Sequence, residues 1–139
     1  MDRCRSRALL NSKGLKVTRQ RIAILDIVIM KESVFSANDI YSDLGGETDL
    51  ATVYRNLQFF CDENLLREVI NKDDRQYFEL ACVHNPAHPH FYCNSCKKIF
   101  CLKEMKNFAP GKLTPGKRFK VQETVLQFSG ICSACMIDC

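Results

Sequence analysis

Apolar residues recur at helical spacing through the first half of the chain and in alternating runs through the second, with a change of character near Ala81 to Pro86. From Thr18, the stretch TRQRIAILDIVIM sets Ile22, Leu25, Val28 and Ile29 on one face behind a threonine that can cap the first turn, which predicts a buried helix. Ser36 followed by Asp39 has the spacing of a capping box. Ile40, Tyr41 and Leu44 then make a short apolar face that Gly45 and Gly46 end. A third helix, capped by Asp49 or Thr48, runs through DLATVYRNLQFFCDE. It buries Leu50, Val53, Leu57 and Phe60 and turns Ala51, Thr52, Arg55 and Gln58 outward, with Tyr54 on the edge. LLREVI and RQYFEL flank the polar NKDD, so a hairpin is expected with Lys72 and Arg75 near its tip. Three helices and a hairpin in this order predict a winged helix-turn-helix. Its glycine pair makes the tight turn that leaves the third helix free to enter a major groove.

Beyond the boundary, HFYC, KKIFCL and FKVQETVLQFSGIC read as strands, the last being the longest. Between Lys103 and Arg118, two prolines (Pro110, Pro115) and two glycines predict mostly loop, with at most a helical turn near KEMKNF. The expected fold class is α+β, with a winged-helix domain over 1–81 and a small α/β domain over 82–139.

A chain of 139 residues, 46% of them apolar, can bury one modest core, or two small ones if something besides hydrophobic area holds them. The opening MDRCRSRALL is basic but has no apolar h-region, and no later stretch approaches the roughly 18 apolar residues of a membrane span, so a cytoplasmic protein is expected. In that reducing compartment nine cysteines point to metal ligation or redox chemistry rather than to a disulfide framework. The net charge of +4 is too small to define a partner. Its distribution says more: Arg3, Arg5, Arg7, Lys13, Lys16, Arg19 and Arg21 stand against the single acid Asp2, which makes either a solvated basic tail or one edge of a nucleic-acid surface.

Two CxxC pairs, Cys93 with Cys96 and Cys132 with Cys135, each place two thiolates on a tight knuckle, and together they supply a complete tetrahedral zinc shell. Free thiols or disulfides are the alternative. A closed Cys4 shell has no position open to substrate, so this zinc is expected to be structural, and its binding energy to be folding energy for the C-terminal half. The same closure argues against a zinc hydrolase, and the lack of a βαβ context around either pair argues against a thiol oxidoreductase. The protein is not expected to be an enzyme.

GLKVTRQR (14–21), SANDIY (36–41), TVYRNL (52–57), HPHFYCNSCKK (88–98) and GICSAC (130–135) resemble the ferric uptake regulator family of bacterial metal-responsive repressors, over nearly the whole chain from Leu10 to Cys135. The resemblance implies an N-terminal winged helix, a C-terminal dimerisation domain, a homodimer on a palindromic operator in double-stranded DNA, and DNA affinity set by a regulatory metal. It also implies that Tyr54 and Arg55 are the base- and phosphate-contacting pair, and that Lys16 reaches towards a minor groove. An arginine can chelate a guanine edge or pair with phosphate, and a lysine in a narrow groove meets strong negative potential. Arg19, Thr52 and Lys72 complete the candidate DNA-binding set.

The regulatory site departs from the family pattern. Val34 stands where the resemblance implies a histidine, Glu79 matches the acid of the hairpin's second strand, and His88 with His90 matches the His-x-His motif. At a further family site Cys101 and Thr124 replace an acid and a histidine, with Glu123 beside the latter. The candidate regulatory ligands are therefore Glu79, Cys82, His84, His88, His90, Cys101 and Glu123, richer in sulfur than an iron sensor needs, and zinc is favoured over ferrous iron. The preferred four are His88 or His84, His90, Cys101, and Glu123 or Cys82. Cys4, Cys61 and Cys139 have no comparable constellation, although Cys61 suits the core edge. A peroxide or redox sensor on the same scaffold, using Cys101 or Cys82, is the nearest alternative. A zinc-stapled interaction module without DNA binding is the more distant one.

Overall fold

The computed structural model describes residues 5–72, 74–82, 84–105, 116–120 and 125–137. It opens with a helix that the apolar pattern does not predict, α1 (Ser6–Ser12). SRALLNS is too short to show periodicity, and its order comes from contact. Leu10 is fully buried in the core, and the Ser6 hydroxyl donates to Asp26 Oδ1 at 2.5 Å. The basic start from Arg5 onward is thus folded against the next helix and is not a tail.

The remaining helices of this half begin where a short polar side chain turns back on the backbone. Thr18 Oγ1 accepts the Arg21 N–H at 3.2 Å and starts α2 (Arg19–Lys31). Its buried stripe is Ile24, Leu25 and Val28, whereas Ile22 and Ile29 are half-buried, so the core face is rotated from the expected one. Strand β1 (Phe35–Ser36) leads directly into α3 (Ala37–Asp43). There both arms of the capping box are made: Ser36 Oγ accepts from the Asp39 N–H at 3.2 Å and Asp39 Oδ2 from the Ser36 N–H at 2.8 Å. Gly45 and Gly46 follow with φ of +67° and +86°, a left-handed turn that side chains rarely adopt. Asp49, rather than Thr48, caps α4 (Leu50–Asp62) by accepting the Thr52 N–H at 2.7 Å. Val53, Leu57 and Phe60 are buried and Leu50 half-buried.

The hairpin consists of β2 (Leu66–Lys72) and β3 (Arg75–Leu80), with an irregularity between Glu68 and Ile70. The two-residue β1 adds to the far edge of β3, giving the antiparallel order β1-β3-β2 and stacking Phe35 on Phe78 at 6.1 Å. One core joins α1 to α4 and the sheet, with Leu10, Leu25, Ile40, Leu57, Phe60 and Phe78 at its centre.

The chain divides into two compact units, one ending at Pro86 and the other starting at Ala87. Residues just past β3 stay with the first unit because Asn85 Nδ2 donates to the Leu80 carbonyl at 2.7 Å and the Asn85 N–H to that of Cys82 at 2.9 Å. In the second unit β4 (His90–Cys93) lies between β5 (Ile99–Cys101), antiparallel to it, and β6 (Gln127–Gly130), parallel to it; a single helical turn, α5 (Ser133–Met136), follows. Strand β6 has four described residues, as β4 does, so the expected longest strand is not seen among the described residues; 121–124 lie outside them. Residues 103–105 and 116–118 form neither helix nor strand, and the rest of the expected loop, with Pro110 and Pro115, lies outside the described residues. Among the described hydrophobic residues of this unit only Tyr92 and Cys93 are buried.

Replacing Ser36 by alanine removes one arm of the box that starts α3 and is expected to cost about 1 kcal/mol in urea unfolding of the metal-loaded protein. An unchanged urea midpoint would contradict the cap's role.

Candidate metal centres and nucleic-acid face

Strand pairing brings the two cysteine knuckles together. Strands β4 and β6 run parallel with Cys93 opposite Gly130, so Cys132, two residues further on, arrives beside the end of β4. The Asn94 N–H donates to the Gly130 carbonyl at 2.8 Å and closes the junction. The first knuckle turns through Lys97, whose φ is +65°, with its N–H on the Cys93 carbonyl at 2.9 Å. The second forms as Cys132 enters α5, where the Cys135 N–H reaches the Cys132 carbonyl at 3.1 Å. The four Sγ atoms lie within 4.8 Å of one another, and Cys96 Sγ is 3.8 Å from Cys132 Sγ. A tetrahedron with Zn–S bonds of about 2.3 Å has edges of about 3.8 Å, so the donors fit a zinc ion.

The cluster is also prepared electrostatically. N–H groups of Cys96 and Cys132 donate to Cys93 Sγ at 3.5 and 3.4 Å and bring its thiol down to about 6. Cys135, although the Ser95 side chain acts to lower it, is pushed up to about 11 by hydrogen bonding with Cys132, by burial and by the Cys93 and Cys96 sulfurs. Four crowded sulfurs cannot all shed their protons without a cation among them.

A second donor group stands on the other end of β4. His90, only 3% exposed, lies opposite Cys101 in the β4–β5 register, which puts both side chains on one face. His88 precedes His90 by two residues and shares that face; the two rings are 4.5 Å apart at 43°. Ligand atoms of His88, His90 and Cys101 all lie within 4.8 Å of one another. Two imidazoles and a thiolate form a mixed nitrogen and sulfur set suited to zinc.

Glu79 belongs to the N-terminal unit, where it sits on β3 opposite Arg67 and is 2% exposed. Its Oε1 is 2.6 Å from Arg67 Nε. Cys82 and His84 belong to the same unit, whose described residues gather no group of three or more metal donors by themselves. Glu123 and Thr124 lie outside the described residues, as do Cys4 and Cys139. Val34 is half-buried just ahead of β1 and offers no donor atom, while Cys61 packs against the main core. Arg67 was not singled out by sequence reasoning; its only signal is its register opposite Glu79.

On the N-terminal unit, α4 turns Ala51, Tyr54, Arg55 and Gln58 outward, with Tyr54 41% exposed and Thr52 half-buried at the first turn. Hydrogen bonds from Thr52 and the Arg55 charge hold the Asp49 carboxyl at the head of this helix below its ordinary value of 3.8. Lys16 and Arg19 are exposed. The loop carrying Lys16 is pinned by Arg21, which donates to the Lys16 carbonyl at 2.8 Å and stacks over Phe59 at 4.3 Å. Lys72 ends β2 at the hairpin tip and is half-buried. No helix among the described residues is long and apolar enough to cross a membrane.

A winged helix followed by a small sheet with paired cysteine knuckles defines a class of metal-binding transcription regulators. The ferric uptake regulator family model matches residues 12–129, and the chain belongs to that family. Members are transcription regulators and not enzymes. The chain is 31% identical to the peroxide operon regulator of Bacillus subtilis over 134 residues, covering 91% of this chain and 88% of the relative. It is 30% identical to the ferric uptake regulation protein of Synechococcus elongatus over 137 residues, covering 93% and 91%. The solved structure of a ferric uptake regulator from Pseudomonas aeruginosa with manganese superposes with a TM-score of 0.73 at 26% identity, over 92% of this chain and 98% of that one.

Stripping metal with a strong chelator is expected to unfold the C-terminal unit while the helical circular dichroism, carried mainly by α2 and α4, persists. A C-terminal unit whose amides stay protected from hydrogen exchange after complete metal removal would contradict the fit.

Proposed function

We propose that this protein is a metal-responsive, DNA-binding transcriptional repressor of metal-homeostasis genes, built on a structural zinc at Cys93, Cys96, Cys132 and Cys135 and switched by a second, regulatory metal. The convergence of His88, His90 and Cys101 carries the reading, because it is a second donor set that the structural site does not need. Sulfur in that set favours zinc over ferrous iron. Glu79 is kept as a candidate ligand on the family resemblance and on its burial as a carboxylate on β3. Cys82, His84 and Glu123 are left as lesser candidates.

A bound zinc ion supplies a fixed tetrahedral junction for these donors. DNA affinity responds only if the DNA-ready arrangement presents the donors better than the alternative does. Arg55 and Tyr54 read the major groove from α4, with Thr52 beside them at the first turn; Lys16, Arg19 and Lys72 contact phosphate or the minor groove. Exposed Val125, Phe128 and Ile131 around β6 support pairing with a second copy, and a two-fold dimer calls for a palindromic operator.

A peroxide-responsive reading has one observation of its own, the oxidisable Cys101 within the donor set. Both are tested by measuring affinity for duplexes that the metal-loaded protein selects from genomic fragments. Zinc is expected to tighten binding at least about tenfold and ferrous iron less, a typical allosteric coupling. His90→Ala abolishes the gain, and Arg55→Ala with Lys16→Ala lowers the salt slope by about 2. Binding indifferent to every metal while the Cys4 site stays full would sink the switch, and loss of binding on peroxide treatment alone would favour the second reading.

A further inference from the structure

The segment that carries Lys16 is closed twice over by one residue. The Arg21 N–H donates to Thr18 Oγ1 at 3.2 Å in the first turn of α2, and its guanidinium donates back through Nη1 to the Lys16 carbonyl at 2.8 Å. Upstream, the Leu15 N–H bonds to the Leu10 carbonyl at 2.9 Å and the Gly14 N–H to that of Asn11 at 3.0 Å, so the loop between α1 and α2 is tied at both ends. The same guanidinium lies over the Phe59 ring of α4, 4.3 Å from its centroid. Beside it, Gln20 Oε1 accepts from Asn56 Nδ2 at 3.4 Å, and that nitrogen also donates to the Thr52 carbonyl at 2.9 Å. Asn56 and Phe59 thus face the start of α2, while Tyr54, Arg55 and Gln58 point outward from the same helix.

We infer that Arg21 is a positioning residue for DNA recognition: its guanidinium ties the Lys16 backbone to α4, so that Lys16 stands at a fixed place relative to Tyr54 and Arg55. This rests on the reading of those three residues as DNA contacts. A loop lysine aimed at one groove and a helix aimed at another engage one duplex together at least cost when the spacing of their backbones is set beforehand, because binding then does not have to order the loop. Lys16 lies outside any helix and is exposed, and the carbonyl held by Arg21 is its own. Arginine suits this task because a flat guanidinium can lie on an aromatic ring while donating in its own plane to a carbonyl, whereas a lysine ammonium is a point charge with no such plane. Half-buried and engaged on both sides, Arg21 directs its charge into the domain and not at phosphate.

The test is affinity for a duplex that the parent protein selects from genomic fragments, measured by anisotropy on the metal-loaded full chain across a salt series. Lys16→Ala is expected to lower the salt slope by about 1. Arg21→Leu is expected to weaken binding about tenfold, the cost of ordering one long side chain and its loop on binding, with Arg21→Lys falling between it and the parent. In the Lys16→Ala background, Arg21→Leu is expected to add less than about twofold and to leave the slope where Lys16→Ala put it, because Arg21 acts through Lys16. A further fall of the slope by about 1 in the double variant would make Arg21 a phosphate contact in its own right, and an additive loss at constant slope would make it packing support for α4. Either result overturns the proposal, as does parent-like binding by Arg21→Leu beside a weakened Lys16→Ala. If Lys16→Ala itself binds like the parent, the reading of Lys16 as a DNA contact fails and takes the role of Arg21 with it. Should Arg21→Leu not fold, as judged by its urea transition, the same cycle run with Arg21→Lys decides between coupled and additive losses.

Discussion

Four sulfurs brought to one point are the constraint on which the C-terminal half depends. Nearly all of the buried apolar side chains belong to the first unit, and the second contributes only Tyr92 and Cys93 among the described residues. A sheet of three short strands with so little apolar burial is not expected to hold by hydrophobic area alone. A zinc ion held by Cys93, Cys96, Cys132 and Cys135 would supply what the core does not, and would lock β6 against β4 at the Cys93–Gly130 pairing. The second donor group shares strand β4, since His90 is three residues from Cys93. A rigid β4 keeps His90 facing Cys101 and keeps His88 beside it. The two donor groups thus stand at opposite ends of one strand.

The N-terminal unit solves its problem by other means. Its helices are started by Thr18, Ser36 and Asp49, each satisfying an amide that the helix leaves unpaired. Its core, running from Leu10 to Phe78, leaves the outward face of α4 free to carry Tyr54 and Arg55. Lys16 is held in place by Arg21, so the basic residues ahead of α2 are presented by a fixed loop. The hairpin carries an ion pair between Arg67 on β2 and the buried Glu79 on β3, the strand that leads into the connecting segment.

Much of this was legible in the sequence where the determining interaction is local. Caps and glycine turns lie within three or four residues of the helix they bound, so α2, α3 and α4 could be placed from Thr18, Ser36 and the Thr48–Asp49 pair, and the hairpin from its polar tip. The two CxxC pairs declare their chemistry by spacing. Helix α1 and strand β1 escaped because seven and two residues carry no period, and both owe their order to distant contacts. The buried face of α2 was misplaced by a fraction of a turn because every residue of RIAILDIVIM except Arg21 and Asp26 is apolar, and only packing selects Ile24 over Ile22. At the second donor group, strand parity paired His88 with His90, but the cross-strand place of Cys101 needed the β4–β5 register. Arg67 could not be found without the β2–β3 register, which an irregularity at Glu68 to Ile70 obscures.

The central claim is that one chain holds two distinct metal sites with separate duties. Metal content of protein purified without added metal, measured alongside His90→Ala and Cys101→Ser, addresses it directly. The account predicts two zinc ions per chain in the parent protein and one in each variant, with the Cys4 ion retained. One ion per chain in all three would show that only the Cys93, Cys96, Cys132 and Cys135 site binds metal and would contradict the account.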